Sequence, residues 1–347
     1  MTRKPAKKLH AALDIKGEPA LNRLAPVEWN RGWLIAGGAG AVLAGAAIFN
    51  AVAAKRAEAA NPPVGQFVEV DGVRLHYVDR GEGPPVVLLH GNGVTLQDFE
   101  ASDVLGLAAA SRRIIAFDRP GFGYSERPRT TAWTPAAQAD LLARALAQLG
   151  VGPAIIVGHS WGTLVALAMA LNAPDAVSGL VLLSGYYYGT ARPDVLPMSV
   201  PGLPLLGDVI AHTTAPLTGL LTGPIGVKAS FSPAPVPDAV AALPVALSLR
   251  PSQIRATAAD TAMMVPGAMS LSGRYGELDL PVVILAGEGD HIVHLERHAE
   301  RLVSQIKGAE LRTFADQGHM LHYAVPEQVI AAIDDVNNRL SRSYVVD

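Results

Sequence analysis

A serine, an aspartate and a histidine follow three separate apolar runs of the sequence, and together they could turn a hydroxyl group into a nucleophile. Ser160 lies in GHSWG at residues 158–162, a G-x-S-x-G pattern between a predicted strand and a predicted helix. Asp290 ends the run PVVILAGEGD, and His319 follows LRTFADQG. A histidine can accept the serine proton, and a carboxylate can orient that histidine. The sequence therefore predicts Ser160, Asp290 and His319 as catalytic residues.

An oxyanion hole is the second requirement of this chemistry. The stretch HGNG at residues 90–93 follows the apolar run PVVLL, where a loop N–H could face the serine. The backbone N–H groups of Asn92 and Trp161 are the expected donors to the developing negative charge. The alternative is a glycine-rich turn at 90–93 without a catalytic role.

Other residue types limit the remaining chemistries. His294 and His298 have the i, i+4 spacing of a zinc-binding pair on a predicted helix that starts near His291, but the glutamate of an H-E-x-x-H motif is missing, so we expect a solvated face. The chain has no cysteine, which excludes disulfides, thiolate metal sites and iron–sulfur clusters. We expect neither a metal nor an organic cofactor. Asp118 also follows a strand, but it precedes Ser160 in the chain, and we expect it to organise its own turn.

The elements that must position these residues alternate between strands and helices. QFVEV and VRLHYVD flank Asp71-Gly72 and predict a β-hairpin. Short apolar runs predict strands buried on both faces of a parallel sheet: PPVVLLHG, RRIIAFDRPG, PAIIVGHS, GLVLLSG, PVVILAGEGD and AELRTFADQGH. Helical periodicity lies in PAAQADLLARALAQLG, TLVALAMALNAP and PEQVIAAIDDVNNRL. This is an α/β fold with a mostly parallel, doubly wound sheet, in which function lies at the carboxyl ends of the strands.

Residues 186–275 interrupt this alternation. They contain 12 of the 26 prolines, nine charged residues and no glutamate. A long insertion between two strands is usually functional, so we expect a mainly helical cap that lines a pocket or faces a membrane. A loosely packed surface insertion is the alternative.

The N-terminal part of the chain differs from the rest. Residues 1–31 form a basic tail with seven Lys or Arg against three acidic residues, and residues 32–54 then run for 23 residues without a charge. This run is long enough to cross a hydrocarbon core of about 30 Å, so it predicts a transmembrane anchor. The excess of positive charge before it predicts a cytoplasmic N-terminus. A buried segment, or cleavage after Ala53, is the alternative.

The remaining organisation follows from these segments. Residues 55–66 are expected to form a linker, and residues 67–340 are expected to form the catalytic domain. Half of the residues are hydrophobic and the net charge is −3, which indicates a globular protein and gives no case for nucleic-acid binding.

The motifs together resemble the α/β-hydrolase fold family, over approximately residues 67–340. They occur in the family's order: HGNG at 90–93, DRPGFGYS at 118–125, GHSWG at 158–162, GEGD at 287–290 and QGHM at 317–320. The sequence looks most similar to members with a helical cap, which are related to epoxide hydrolases, haloalkane dehalogenases and proline iminopeptidases. Dehalogenases and epoxide hydrolases use an aspartate nucleophile, whereas position 160 is serine.

We therefore expect a membrane-anchored serine esterase that cleaves a small or apolar carboxylic ester through an acyl-serine intermediate. A serine-dependent carbon–carbon bond hydrolase or an amidase is the alternative among enzymes, and a noncatalytic binding module is the alternative outside them. The expected partners are a small-molecule ester and the membrane, which residues 32–54 would cross once. The catalytic domain would then lie outside the cytoplasm.

Overall fold

The structure, a computed structural model, describes residues 31–346, and their side chains from residue 35 to residue 342. Almost all of the predicted basic tail lies outside the described residues. The chain divides into two units, Met1–Val42 and Leu43–Asp347. The described residues of the first unit belong to helix α1 (Arg31–Ala60), and the second unit holds the rest of this helix and all other elements.

The second unit contains eight strands and eleven further helices within the described residues. The strands are β1 (Gln66–Val70), β2 (Val73–Arg80), β3 (Pro85–Leu89), β4 (Arg113–Phe117), β5 (Ala154–His159), β6 (Val177–Leu183), β7 (Val282–Gly287) and β8 (Glu310–Phe314). The helices are α2 (Gln97–Ala101), α3 (Val104–Ala109), α4 (Pro135–Gln148), α5 (Gly162–Asn172), α6 (Val195–Ser199), α7 (Leu206–His212), α8 (Ala215–Phe231), α9 (Val245–Ser248), α10 (Pro251–Ser272), α11 (Ala299–Val303) and α12 (Pro326–Val346).

The strands form one sheet in the order β1-β2-β4-β3-β5-β6-β7-β8. The first two strands are an antiparallel hairpin in which Val70 pairs with Val73, so Asp71 and Gly72 form its turn as predicted. From β3 to β8 all neighbouring strands are parallel. The mostly parallel sheet expected from the apolar runs is thus confirmed.

Two apolar cores cover the two faces of this sheet, because successive side chains of a strand point to opposite faces. In β3, for example, Val87 and Leu89 belong to the core with helices α4, α5 and α11. Val86 and Leu88 belong to the other core, with α2, α3 and α12. Helices therefore cover both faces, and the carboxyl ends of the parallel strands are left for the site.

The segment between β6 and β7 is helical. The described residues there form helices α6 to α10 and no strand, in agreement with the absence of a buried apolar run at 186–275. We call this segment the cap.

Helix α1 extends farther than the sequence predicted. It continues to Ala60, through the first six residues of the segment 55–66 that was expected to be a linker. The reason is local, since Lys55 to Ala60 read KRAEAA, which favours helix, and Pro62 and Pro63 stop the helix only afterwards.

Candidate active site

The candidate nucleophile sits on a strained turn between β5 and α5. Ser160 has a φ of 51°, a left-handed conformation that is rare for a residue with a side chain. Its N–H donates to the Leu183 carbonyl of β6 at 2.9 Å, which holds the turn against the sheet. A Cβ atom on Gly162 would lie 2.2 Å from the Leu89 oxygen, and one on Gly158 would lie 2.8 Å from the Gly162 oxygen. Both glycines thus have a steric cause, since Gly162 lets the turn approach β3 and Gly158 lets the turn close on itself.

Three elements bring Ser160, His319 and Asp290 into one hydrogen-bonded chain. The distance from His319 Nε2 to Ser160 Oγ is 2.8 Å, and the distance from His319 Nδ1 to Asp290 Oδ2 is also 2.8 Å. Asp290 follows β7 and His319 follows β8, so each residue stands at the carboxyl end of a parallel strand. Asp290 and His319 are buried, whereas Ser160 is partly exposed. The arrangement can pass a proton from the serine to a fixed imidazole.

The environment of Asp290 keeps its carboxyl group ionised. Burial raises the pKa of Asp290, but the His319 ring and the N–H groups of Ile292 and Val293 outweigh burial, so the pKa lies below its usual value. The two N–H groups donate to Oδ1 at 2.8 and 2.9 Å. Because Oδ1 is held in this way, Oδ2 faces His319 as an acceptor and fixes the ring tautomer with Nε2 toward the serine.

The two expected oxyanion donors lie in the turn of Ser160 and in the loop that packs against it. Asn92 follows β3, and Trp161 follows the serine directly. Within the described part of the chain, neither backbone N–H donates to another protein group, whereas the N–H of Ser160 itself is used. A Cβ on Gly91 would lie 3.2 Å from the Ser160 Cβ, so the loop at 90–93 packs directly against the nucleophile. An oxyanion donor needs an N–H group without a protein partner, and within the described residues both groups meet this condition.

A buried arginine holds this loop in place. Arg119 donates through Nε to the His90 carbonyl at 2.8 Å and through Nη2 to the Gly91 carbonyl at 3.0 Å. Its guanidinium carbon lies 4.6 Å from the centre of the Trp161 ring. Arg119 Nη1 also donates to Asp260 of the cap helix α10 at 2.6 Å, and both side chains are fully buried. One cation therefore connects both expected oxyanion donors to the cap.

A second buried network lies behind the candidate catalytic histidine. Asp98 accepts hydrogen bonds from His322 Nε2 at 3.0 Å and from the Tyr323 hydroxyl at 2.9 Å. Burial raises the pKa of Asp98, but the His322 ring and these hydrogen bonds lower it by more. The pKa of Asp98 is therefore about 2. His159 Nε2 donates to the His319 carbonyl at 3.2 Å. The network holds the His319 carbonyl and the two residues His322 and Tyr323 that follow it.

Three of these groups, Asp98, His159 and His322, have side-chain types that also ligate metals, and their nearest atoms lie within 4.8 Å of one another. Both Asp98 oxygens already accept hydrogen bonds. Burial, together with His322 and His319, lowers the pKa of His159 well below its usual value, so this ring is neutral at neutral pH. We interpret the group as a hydrogen-bonded support for the His319 loop.

The structure corrects one expectation about the other histidines. The helix expected near His291 begins only at Ala299, because residues 291–298 form turns. His294 is exposed, but His298 is buried, and its Nδ1 accepts the Tyr187 N–H at 3.0 Å. The pair therefore shares no solvated helix face.

Asp118 has the structural role that its place in the sequence predicted. It is fully buried and accepts from His76 Nδ1 at 2.7 Å, and from the N–H groups of Leu96 and Tyr124 at 2.9 and 3.0 Å. These contacts fix the turn after β4.

Sequence reasoning did not identify the supporting residues Arg119, Asp260 and Asp98. Arg119 stands inside the quoted motif DRPGFGYS, and Asp260 is one of only four acidic residues at 186–275, so both had a signal. No feature of the sequence pointed to Asp98, because its partners His322 and Tyr323 lie more than 220 residues away in the chain.

Comparisons with known proteins identify the family. The family model described as alpha/beta hydrolase fold matches residues 84–324. The chain is 36% identical over 123 residues to a 2-hydroxymuconate semialdehyde hydrolase of Pseudomonas putida, which covers 35% of this chain and 44% of that protein. It is 33% identical over 115 residues to haloalkane dehalogenase 2 of Mycobacterium tuberculosis, covering 33% of this chain and 40% of that protein. The chain thus spans less than half the length of these relatives.

The fold agrees with that of solved structures. A thermophilic esterase from Thermogutta terrifontis superposes with a TM-score of 0.61 at 23% identity, covering 80% of this chain and 99% of the esterase. At this identity the likeness concerns the fold alone. The matching family model covers more than half of the chain, so the family that the motifs suggested is confirmed. The chain belongs to the alpha/beta hydrolase fold family.

Proposed function

We propose that this protein hydrolyses a carboxylic ester through an acyl-serine intermediate, with Ser160 as nucleophile, His319 as base and Asp290 as orienting carboxylate. The observation that carries the proposal is the chain of two 2.8 Å contacts from Ser160 Oγ through His319 to Asp290. A structural role alone does not explain why a serine adopts a strained backbone conformation while its hydroxyl is hydrogen-bonded to an oriented imidazole.

The reaction proceeds in two steps. Ser160 Oγ attacks the ester carbonyl while His319 Nε2 takes its proton, and the N–H groups of Asn92 and Trp161 stabilise the negative oxygen of the tetrahedral intermediate. His319 then gives the proton to the departing alcohol. Water, activated by the same ring, attacks the acyl-serine and releases the acid.

A fluorophosphonate probe tests the nucleophile, because Ser160 Oγ would displace its fluoride and form a stable adduct. We expect labelling of the wild-type protein, loss of labelling and of esterase activity in Ser160→Ala, and unchanged labelling in the control Ser304→Ala, which alters an exposed serine. Circular dichroism would verify that Ser160→Ala is folded. Full esterase activity in Ser160→Ala, or a folded wild type that takes no label, would refute the proposal.

Carbon–carbon bond hydrolysis is the second candidate, and the relative from Pseudomonas putida supports it. The same triad would serve, but the leaving group would be a carbon atom that must be protonated. Purified protein offered 4-nitrophenyl esters and 2-hydroxymuconate semialdehyde in parallel would separate the two. A much larger kcat/KM for 2-hydroxymuconate semialdehyde than for the esters would show that the protein is a carbon–carbon bond hydrolase and not an esterase.

We also propose that α1 anchors the protein in the cell membrane with its N-terminus in the cytoplasm. Among the described residues, Ile35–Ala60 is the one continuous helix long and apolar enough to span a bilayer, a property shared by signal sequences. The seven basic residues before the run at 32–54 support the orientation. Alkaline carbonate should leave the protein in the membrane pellet, and a periplasmic-type reporter after Asp347 should be active. Release by carbonate would refute the span, and a reporter active only in the cytoplasm would reverse the orientation.

A further inference from the structure

The cap exposes a broad apolar surface. Residues 195–231 contain only two charged side chains, Asp208 and Lys228. Ten large apolar side chains in this stretch are exposed by 49% or more, and we call them the cap apolar face: Leu196, Met198, Leu203, Leu205, Leu206, Val209, Leu217, Leu220, Leu221 and Ile225. Soluble monomers rarely expose so much apolar surface, so an apolar partner is expected to cover these side chains.

The hydroxyl groups of α8 are compatible with an apolar surrounding. The hydroxyls of Thr218, Thr222 and Ser230 each donate to the carbonyl four residues earlier in the chain. These are all the hydroxyl groups in Ala215–Phe231, so the helix presents no hydroxyl that needs a solvent partner. Its one charge, Lys228, lies in the last turn, from which a long side chain can reach an aqueous boundary.

Helix α1 fixes the depth of this surface. Asn50 lies within the uncharged run at 32–54, and its Nδ2 donates to the carbonyls of His212 and Thr213 at the end of α7, both at 2.8 Å. Asn50 precedes Lys55, the first charge after the run, by a helical distance of about 7 Å. Helices that lie in a membrane interface are buried by about 5–10 Å. If the run crosses the membrane, the end of α7 therefore lies below the membrane surface.

The shapes of α6 and α7 agree with this position. The segments Val195–Gly202 and Leu206–His212 are together apolar enough for a membrane span, but they meet at 90°. Each is about 10–12 Å long. This is too short to cross a bilayer but short enough to lie within one leaflet.

We propose that the cap apolar face is immersed in the outer leaflet of the bilayer that α1 crosses, and that the enzyme takes esters from that leaflet. The proposal rests on the proposed membrane span and on the proposed esterase function. The far end of α8 touches the catalytic loop, since the Met320 N–H donates to the Ser230 carbonyl at 3.2 Å and the Phe231 ring lies 5.2 Å from that of Tyr323. The immersed helix thus leads from lipid toward His319. The substrate class is an ester that partitions into lipid.

The absence of cysteine allows a direct test on the full chain. Leu221→Cys in the cap, Val42→Cys in the middle of the apolar run and Glu82→Cys, at an exposed turn outside the cap, would each carry one bimane label. The proteins would be reconstituted into phosphatidylcholine vesicles and exposed to nitroxide-labelled lipid or to aqueous iodide. We expect lipid quenching at Leu221→Cys comparable to that at Val42→Cys, and iodide quenching at Glu82→Cys only.

The outcomes separate the two proposals. Iodide quenching at Leu221→Cys equal to that at Glu82→Cys would refute immersion of the cap, and lipid quenching at Val42→Cys would then leave the span intact. No lipid quenching at Val42→Cys would refute the span itself. A label at Leu221→Cys that neither agent quenches would show that protein covers the face, which also overturns the proposal.

Discussion

The buried ion pair between Arg119 and Asp260 gives a quantitative prediction about how the cap supports the site. Asp260 accepts from Arg119 Nη1 at 2.6 Å and from Arg127 Nη1 at 2.8 Å. Asp260→Asn retains the shape of the side chain but removes the charge that neutralises two guanidinium groups. Removal of one partner of a buried ion pair typically costs about 3–5 kcal/mol. We expect the free energy of unfolding to fall by about this amount.

Activity should fall as well, because Arg119 holds the loop that carries Asn92, one of the two proposed oxyanion donors. Its donations to the His90 and Gly91 carbonyls orient the Asn92 N–H. Complete loss of one oxyanion donor costs about 10²–10³ in kcat, which sets the upper limit. We expect a smaller loss, of at least roughly tenfold, and mainly in kcat, because the donor is displaced and not removed.

Urea unfolding of the full-length protein in non-ionic detergent would measure the stability change, and initial rates of ester hydrolysis would measure the activity. Asp208→Asn is the matched control, since Asp208 also pairs with two arginines of this region, Arg129 and Arg255, but is partly exposed. We expect a clearly smaller change there. Equal changes in the two variants, or a change below about 1 kcal/mol in Asp260→Asn, would refute the reasoning.

Three further predictions concern the turn, the support network and the substrate. Gly162→Ala should abolish activity, because the new Cβ would lie 2.2 Å from the Leu89 oxygen; activity close to wild type would contradict the steric argument. The pKa of Asp98 falls from 3.8 to about 2 on folding, so its carboxylate stabilises the fold above about pH 4 and this contribution, about 2 kcal/mol, is lost toward pH 2. The stability difference between wild type and Asp98→Asn, measured by urea unfolding, should therefore be constant near neutral pH and shrink on acidification; a difference independent of pH would contradict the assignment. Esterase activity should rise with acyl chain length up to a limit, since each buried CH₂ contributes about 0.8 kcal/mol, and a preference for charged esters would oppose an apolar cap.

The sequence by itself predicted the strands of the sheet, the main helices that cover it and the order of the candidate site residues. Strands of a parallel sheet are buried on both faces, so their apolar runs were visible without a structure. The G-x-S-x-G turn is recognisable in the sequence because both glycines lie two residues from Ser160, although the oxygen that excludes a Cβ on Gly162 belongs to the distant Leu89. Asp290 and His319 were predictable because each stands within five residues of the end of a strand, and the carboxyl ends of parallel strands share one edge.

Only the tertiary structure decided which charged groups support that site. The Arg119–Asp260 pair joins residues 141 positions apart, and Asp98 meets His322 across 224 positions. No local periodicity records such contacts, because they depend on how the cap and the loops pack. His298 was expected on a solvated face, but the fold buries it against Tyr187. The contact of Asn50 with the end of α7 is likewise visible only in the folded protein. Local sequence patterns predict helices and strands, whereas the partners of buried polar groups depend on how distant helices, strands and loops pack together.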